Sequence, residues 1–104
     1  MRDDEVHEPP YTLVEAEEII RNCLSGGTVA FRFHADERGR ERAIARVDIE
    51  NCLRGGTVVN VEWRVNERTG HGSWRWECQT DRYTVIIAIR NRAKISVITC
   101  WRNG

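Results

Sequence analysis

Apolar residues recur at helical spacing at Leu13, Ala16, Ile20, Cys23 and Leu24, leaving Glu15, Glu17, Glu18 and Arg21 toward solvent. Thr12 and Glu15 supply a T-x-x-E capping box, so the pattern predicts a helix from about Leu13 to Ser25. A strand is expected over Thr28 to Phe33, with Val29, Phe31 and Phe33 on one face and Ala30 and Arg32 on the other. Ala35 to Arg42 reads as a short charged helix weakened by Gly39, and Arg46 to Arg54 as a helix that buries Ile49, Cys52 and Leu53. From Thr57 the period changes to two. Val59, Val61, Trp63 and Val65 alternate inward, a turn follows, and Ser73 to Gln79 sets Trp74, Trp76 and Cys78 against Arg75, Glu77 and Gln79. Tyr83 to Ile89 and Lys94 to Trp101 are almost continuously apolar, which predicts central strands covered on both faces. The expected class is α+β, with two or three helices on one face of a twisted, mainly antiparallel sheet of four to five strands.

One segment is repeated. Asn22-Cys23-Leu24-Ser25-Gly26-Gly27-Thr28-Val29 returns as Asn51-Cys52-Leu53-Arg54-Gly55-Gly56-Thr57-Val58. Two copies are too few for a solenoid. Each is read as a junction where glycine in the left-handed conformation ends a helix and Thr-Val opens a strand.

The length of 104 residues corresponds to one domain, divided by composition into a flexible acidic tail at 1–11 and a folded body at 12–104. No apolar run approaches the roughly 20 residues of a membrane span, and Met1-Arg2-Asp3-Asp4-Glu5 is acidic where a secretory signal is basic. A cytoplasmic protein with no membrane partner is expected. The net charge of zero divides into −6 over residues 1–18 and +6 over the remainder. Fifteen of the sixteen basic residues are arginines, whose planar forks suit phosphate or carboxylate, although a GC-rich genome alone produces the same bias. The acidic tail and first helix could fold over this basic body in place of an anionic partner. Cys23, Cys52, Cys78 and Cys100 contain no C-x-x-C pair and fall on apolar phases, so they are read as core thiols, with no metal and no cofactor.

Three groups of residues could carry chemistry. His34, Arg38 and Arg42, spaced by four, would put a titratable imidazole beside two fixed cations on one helix face, with Glu37 and Glu41 adjacent. The alternative is a solvated helix with local Arg–Glu pairs. Arg64, Arg75, Glu77 and Gln79 project from neighbouring strands opposite the tryptophans, either as a phosphate clamp with a base or as a salt-bridge ladder. Trp101, followed by Arg102, is the best candidate for stacking on an unpaired base, while the other tryptophans suit the core. His7 and His71 have no partner at ligand spacing and are read as solvated, and no phosphate-binding glycine loop is present.

The order of helix, Gly-Gly, strand, His34-Ala35-x-x-Arg38 with Arg42, second helix and a meander ending in Val97-Ile98-Thr99 resembles a small bacterial domain family encoded beside zinc-finger antitoxins. That family is similar to the RelE, ParE and MqsR toxins. The resemblance covers roughly residues 13 to 101. It implies a RelE-like fold, metal-independent endoribonuclease activity on mRNA, free or on the ribosome, and neutralisation by a cognate zinc-finger antitoxin. It carries over to His34, Arg38, Arg42 and Arg75. The expected mechanism has Arg38, Arg42 and Arg75 holding the scissile phosphate and His34 or Glu77 deprotonating the 2′-hydroxyl, with Arg64, Trp101 and Arg102 gripping the strand. Homodimerisation is compatible with this reading. The alternative is a non-catalytic module whose arginine face engages an acidic protein or nucleic acid.

Overall fold

The computed structural model describes residues 8–104, with only the backbone of Phe33 and His34. Three helices and five strands follow in the order α1 (Leu13–Ser25), β1 (Thr28–Phe31), α2 (Phe33–Glu41), α3 (Arg46–Gly55), β2 (Thr57–Val65), β3 (Gly72–Gln79), β4 (Tyr83–Asn91) and β5 (Lys94–Arg102). The fold is α+β. The strands form one sheet in the order β1-β5-β4-β3-β2, antiparallel throughout except for the parallel pairing of β1 with β5. Among the described residues no helix is long and apolar enough to cross a membrane.

Helix α1 starts where the capping box places it. The Glu15 amide donates to Thr12 Oγ1 at 3.1 Å, and the Thr12 amide donates to Glu15 Oε1 at 2.8 Å. Its buried stripe of Ala16, Ile19, Ile20 and Cys23 meets Ile49, Cys52 and Leu53 of α3 over the inward positions Val58, Trp76, Cys78, Val85, Ile87, Ile95, Val97 and Cys100. The four cysteines sit in this core, where their apolar phase predicts them. Tyr11 packs against Trp76 at 6.2 Å, so the ordered body already includes residue 11, inside the segment read as tail. The acidic side of α1 is also engaged: Glu17 Oε2 accepts from the Val58 amide at 3.0 Å, and Glu15 lies 4.0 Å from Arg92. With α1 held on the inner face of the sheet, it does not fold over the outer one. The part of that expectation resting on residues 1–7 lies outside the described residues.

Three local expectations change. Helix α2 starts at Phe33, two residues early, and β1 ends correspondingly at Phe31. A β-bulge between Val58 and Asn60 lets Val58 pair with Cys78 and face the core, while Val59 is 43% exposed. Beyond the bulge Trp63 stands opposite Trp74 in an edge-to-face contact at 5.2 Å, with Trp63 still 41% exposed. Helices cover only the inner face of β4 and β5. On the outer face the small residues Thr84, Ala88 and Ser96 are buried even so.

The repeated Gly-Gly motif has a different cause from the one expected. Gly26 adopts φ −159° and Gly56 φ −85°, and among the described glycines only Gly70 is left-handed. What the second glycine of each copy provides is close approach. A Cβ on Gly27 would fall on the Ala93 carbonyl, and one on Gly56 would fall on the Cys52 carbonyl and lie 2.9 Å from that of Gln79. Gly26 and Gly55 face open space.

Candidate nucleic-acid interface

Pleating alone puts Arg64, Arg75 and Glu77 on the side of the sheet away from the helices. Register then brings them together: Glu62 pairs with Arg75, Arg64 with Ser73, and Glu77 lies between Asn60 of β2 and Ile86 of β4. A trough of about 500 Å³ results, walled by Arg64, Arg75, Glu77 and Trp101 over a floor that includes Ile86 and Ile98. Trp101 is 36% exposed, enough to offer a ring face at the rim. Arg64 is paired with Glu62 at 3.1 Å. Glu77, in contrast, has no ion pair within 4.0 Å among the described residues. Four residues from the sequence-based set thus share one concave surface.

The α2 residues are placed differently. Helix α2 lies along β5 beyond the end of the short β1 strand. There Arg42 Nη1 donates to the Cys100 carbonyl, satisfying an edge oxygen that β1 is too short to reach. Arg38 pairs with Glu41 at 2.9 Å, a local contact between two exposed side chains. The His34 side chain lies outside the described residues. Arg102 also has structural partners: Nη2 donates to the Ala43 carbonyl at 2.8 Å, Nε to the Arg42 carbonyl at 3.4 Å, and the guanidinium lies 5.5 Å from the centre of the Tyr83 ring. It closes the C-terminal end of α2, where a cation complements the exposed carbonyls.

The structure adds two residues absent from the sequence-based set. Arg32, just past β1, and Arg90, near the end of β4, converge with Arg75 beside His71 in a second hollow of about 300 Å³. The guanidinium of Arg75 is held below its ordinary range by burial first, and then by the charges of Arg32, Arg90 and Arg64. Arg32 could have been found from its alternation with Val29 and Phe31. Arg90 could not, because it follows the apolar run and reads as part of a turn.

Among the described residues no cluster of three His, Cys, Asp or Glu side chains is placed to hold a metal ion. No family model, curated protein or solved structure matches the chain.

Proposed function

We propose that the chain binds RNA along the open face of the sheet and cleaves it without a metal ion, as the cytoplasmic toxin of a toxin–antitoxin pair. The observation that carries this reading is the joint placement of Arg64, Arg75, Glu77 and Trp101 in one trough. Arg75 would hold the scissile phosphate and stabilise the charge that develops on it. Glu77, two residues along the same strand and about 6 to 7 Å away, would take the 2′-hydroxyl proton as that oxygen bonds to phosphorus. The P–O5′ bond then breaks and the leaving 5′-oxygen takes a proton from a protonated group or water, giving a 2′,3′-cyclic phosphate and a 5′-hydroxyl. Trp101 would stack on a flanking base, with Arg64 on the backbone. The toxin resemblance implies neutralisation by a cognate antitoxin, and an acidic surface on that partner would suit the arginines of this face.

A binding role without chemistry is the second reading. It is favoured by the engagement of Arg38 with Glu41 and of Arg42 with the Cys100 carbonyl, which leaves fewer cations for a transition state. One experiment separates the two: incubation of the purified protein with RNA in the presence of EDTA. The nuclease reading expects turnover that Glu77→Gln lowers by about 10²-fold or more while binding is kept, the range for loss of a general base. Intact RNA that is nevertheless bound through Arg75 supports the binding module. RNA neither cut nor bound overturns the nuclease and any RNA-binding module, and leaves an acidic protein as the partner of the arginine face.

A further inference from the structure

The second hollow has a composition unlike the rest of the surface. Arg32, Arg75 and Arg90 line it with His71, Thr69 and Ser73, and no Asp or Glu does. Arg21, Arg38, Arg46, Arg64 and Arg92 each stand within 4.0 Å of a carboxylate, while others such as Arg68 and Arg82 do not among the described residues, so what sets the hollow apart is that three unpaired cations meet in it. Among the described residues the three arginines of the hollow have no such partner. Arg75 and Arg90 come from β3 and β4 and Arg32 from just past β1, across four positions of the sheet, and the floor explains how they meet. Ala30 pairs with Ser96 and Ser96 with Ala88, a row of small side chains that lets long neighbours lean inward from both sides. Ala88 is 2% exposed and Ser96 4%, on a face that no helix covers. Arg90, whose Nε bonds Ser96 Oγ, reaches over this row.

Two of the guanidinium groups are also held in position. Arg75 Nε donates to Ser73 Oγ at 3.0 Å, and Arg90 Nε donates to Ser96 Oγ at 3.0 Å. A serine hydroxyl orients the fork without neutralising it, so the terminal amino groups stay available for an oxyanion. Like charges gathered without a counter-charge repel one another in the empty protein, and an anion between them removes that repulsion. Burial lowers the Arg75 guanidinium's affinity for its proton, and the charges of Arg32, Arg90 and Arg64 lower it further.

We propose that this hollow binds a terminal phosphate monoester, at the end of an RNA strand whose next nucleotides lie in the trough of Arg64, Glu77 and Trp101. Two features favour a strand end over an internal phosphodiester. A monoester carries about −1.5 to −2 at neutral pH and offers three free oxygens, which three guanidinium groups can share; a diester carries −1 and offers two. The hairpin loop, through Thr69 and His71, also walls the hollow on one side, so a strand running along the trough stops there. Arg75 lines both depressions, so one of its terminal amino groups can reach the end phosphate in the hollow while the other holds the neighbouring scissile phosphate in the trough. The proposal rests on the RNA-binding reading above.

The test compares one oligoribonucleotide in three forms, 5′-phosphorylated, 3′-phosphorylated and with hydroxyls at both ends, together with inorganic phosphate as competitor. Uncleaved binding is measured on the Glu77→Gln protein. One phosphorylated form is expected to bind at least about tenfold more tightly than the hydroxyl form, and which one does so sets the strand's direction. Inorganic phosphate should remove that advantage. Arg32→Gln and Arg90→Gln should each abolish the preference while changing affinity for the hydroxyl form less than threefold. Neither should lower the melting temperature by more than a few degrees, since Arg32 has no side-chain hydrogen bond among the described residues and Arg90 has one, to Ser96. Equal binding of all three forms overturns the terminal-phosphate site and leaves RNA binding standing. No binding of any form overturns the RNA reading itself.

Discussion

Ala43 holds the left-handed conformation at φ 56°, and its carbonyl accepts a hydrogen bond from Arg102 Nη2 at 2.8 Å. The residue sits just past the end of α2. The Ile44 amide donates to the Gly39 carbonyl at 2.8 Å and the Ala43 amide to that of Arg40 at 3.3 Å, the paired bonds of a Schellman ending. Glycine is the usual residue at this point, because a Cβ costs about 1 kcal/mol or more in the left-handed region. Ala43→Gly is therefore expected to stabilise the protein by about 1 kcal/mol, and Arg102→Ala to destabilise it by a similar amount, in urea unfolding.

The repeated glycines separate by role. Gly27→Ala and Gly56→Ala should each cost about 1 to 3 kcal/mol, because the added methyl meets backbone carbonyl oxygens that cannot move independently. Gly26→Ala and Gly55→Ala should be neutral or slightly stabilising, since each methyl points into open space. Equal effects across the four would remove close approach as the reason for the motif.

Asp36 and Arg46 join the start of α2 to the start of α3 through two bonds, Nε to Oδ1 at 3.1 Å and Nη2 to Oδ2 at 2.8 Å, while the same guanidinium lies 4.3 Å from the centre of the Phe31 ring. The hydrogen bond from Arg46 holds the Asp36 carboxyl below the usual aspartate range. A depressed folded value means that the pair contributes above the unfolded pKa of about 3.9 and ceases to contribute as pH falls through the folded one. Melting curves of wild type and Asp36→Asn should differ by a constant amount above about pH 5 and converge as pH falls through the depressed folded value.

Alkali should act through the core thiols. Burial raises the pKa of Cys23 and of Cys100, and the neighbouring Cys52 thiol followed by burial raises that of Cys78. With folded values above the unfolded thiol pKa of about 8.5, stability is full below that pH and falls above it, by up to about 1.4 kcal/mol per pH unit for each thiol. Cys100→Ala should be less stable at pH 7 through its cavity, yet show a shallower decline between pH 8.5 and 10. An unchanged slope would mean that Cys100 does not resist ionisation.

Deleting residues 1–10 removes Arg2 and four acids, a shift of +3 in net charge. RNA binding should tighten, with a steeper dependence on salt as more phosphate contacts release counterions. Affinity should be compared at low and moderate salt, and an unchanged value would assign the segment no part in binding.

Much of the candidate surface was legible because strand alternation is local. Arg64, Arg75 and Glu77 could be put on one face from Trp63, Trp74 and Trp76 alone, since successive side chains on a strand point to opposite sides. Trp101 required no partner to be named. The α2 set is a different case. A spacing of four aligns His34, Arg38 and Arg42, but it cannot reveal that the β5 edge lies within reach of Arg42 or that Arg102 comes back to close the helix.

The sequence by itself determined the elements and most of their inner and outer sides, because capping, 3.6-residue and two-residue periodicities act over a few neighbours. It determined the places of Thr12, of the core cysteines and of the outward arginines on β2 and β3. Only the tertiary structure decided that β1 lies parallel beside β5, that a bulge turns Val59 outward, and that Arg32 and Arg90 reach Arg75 across Ala30, Ser96 and Ala88. Those relations depend on which strands become neighbours and in what register, and the free energy that selects them comes from the burial of side chains distant in the chain.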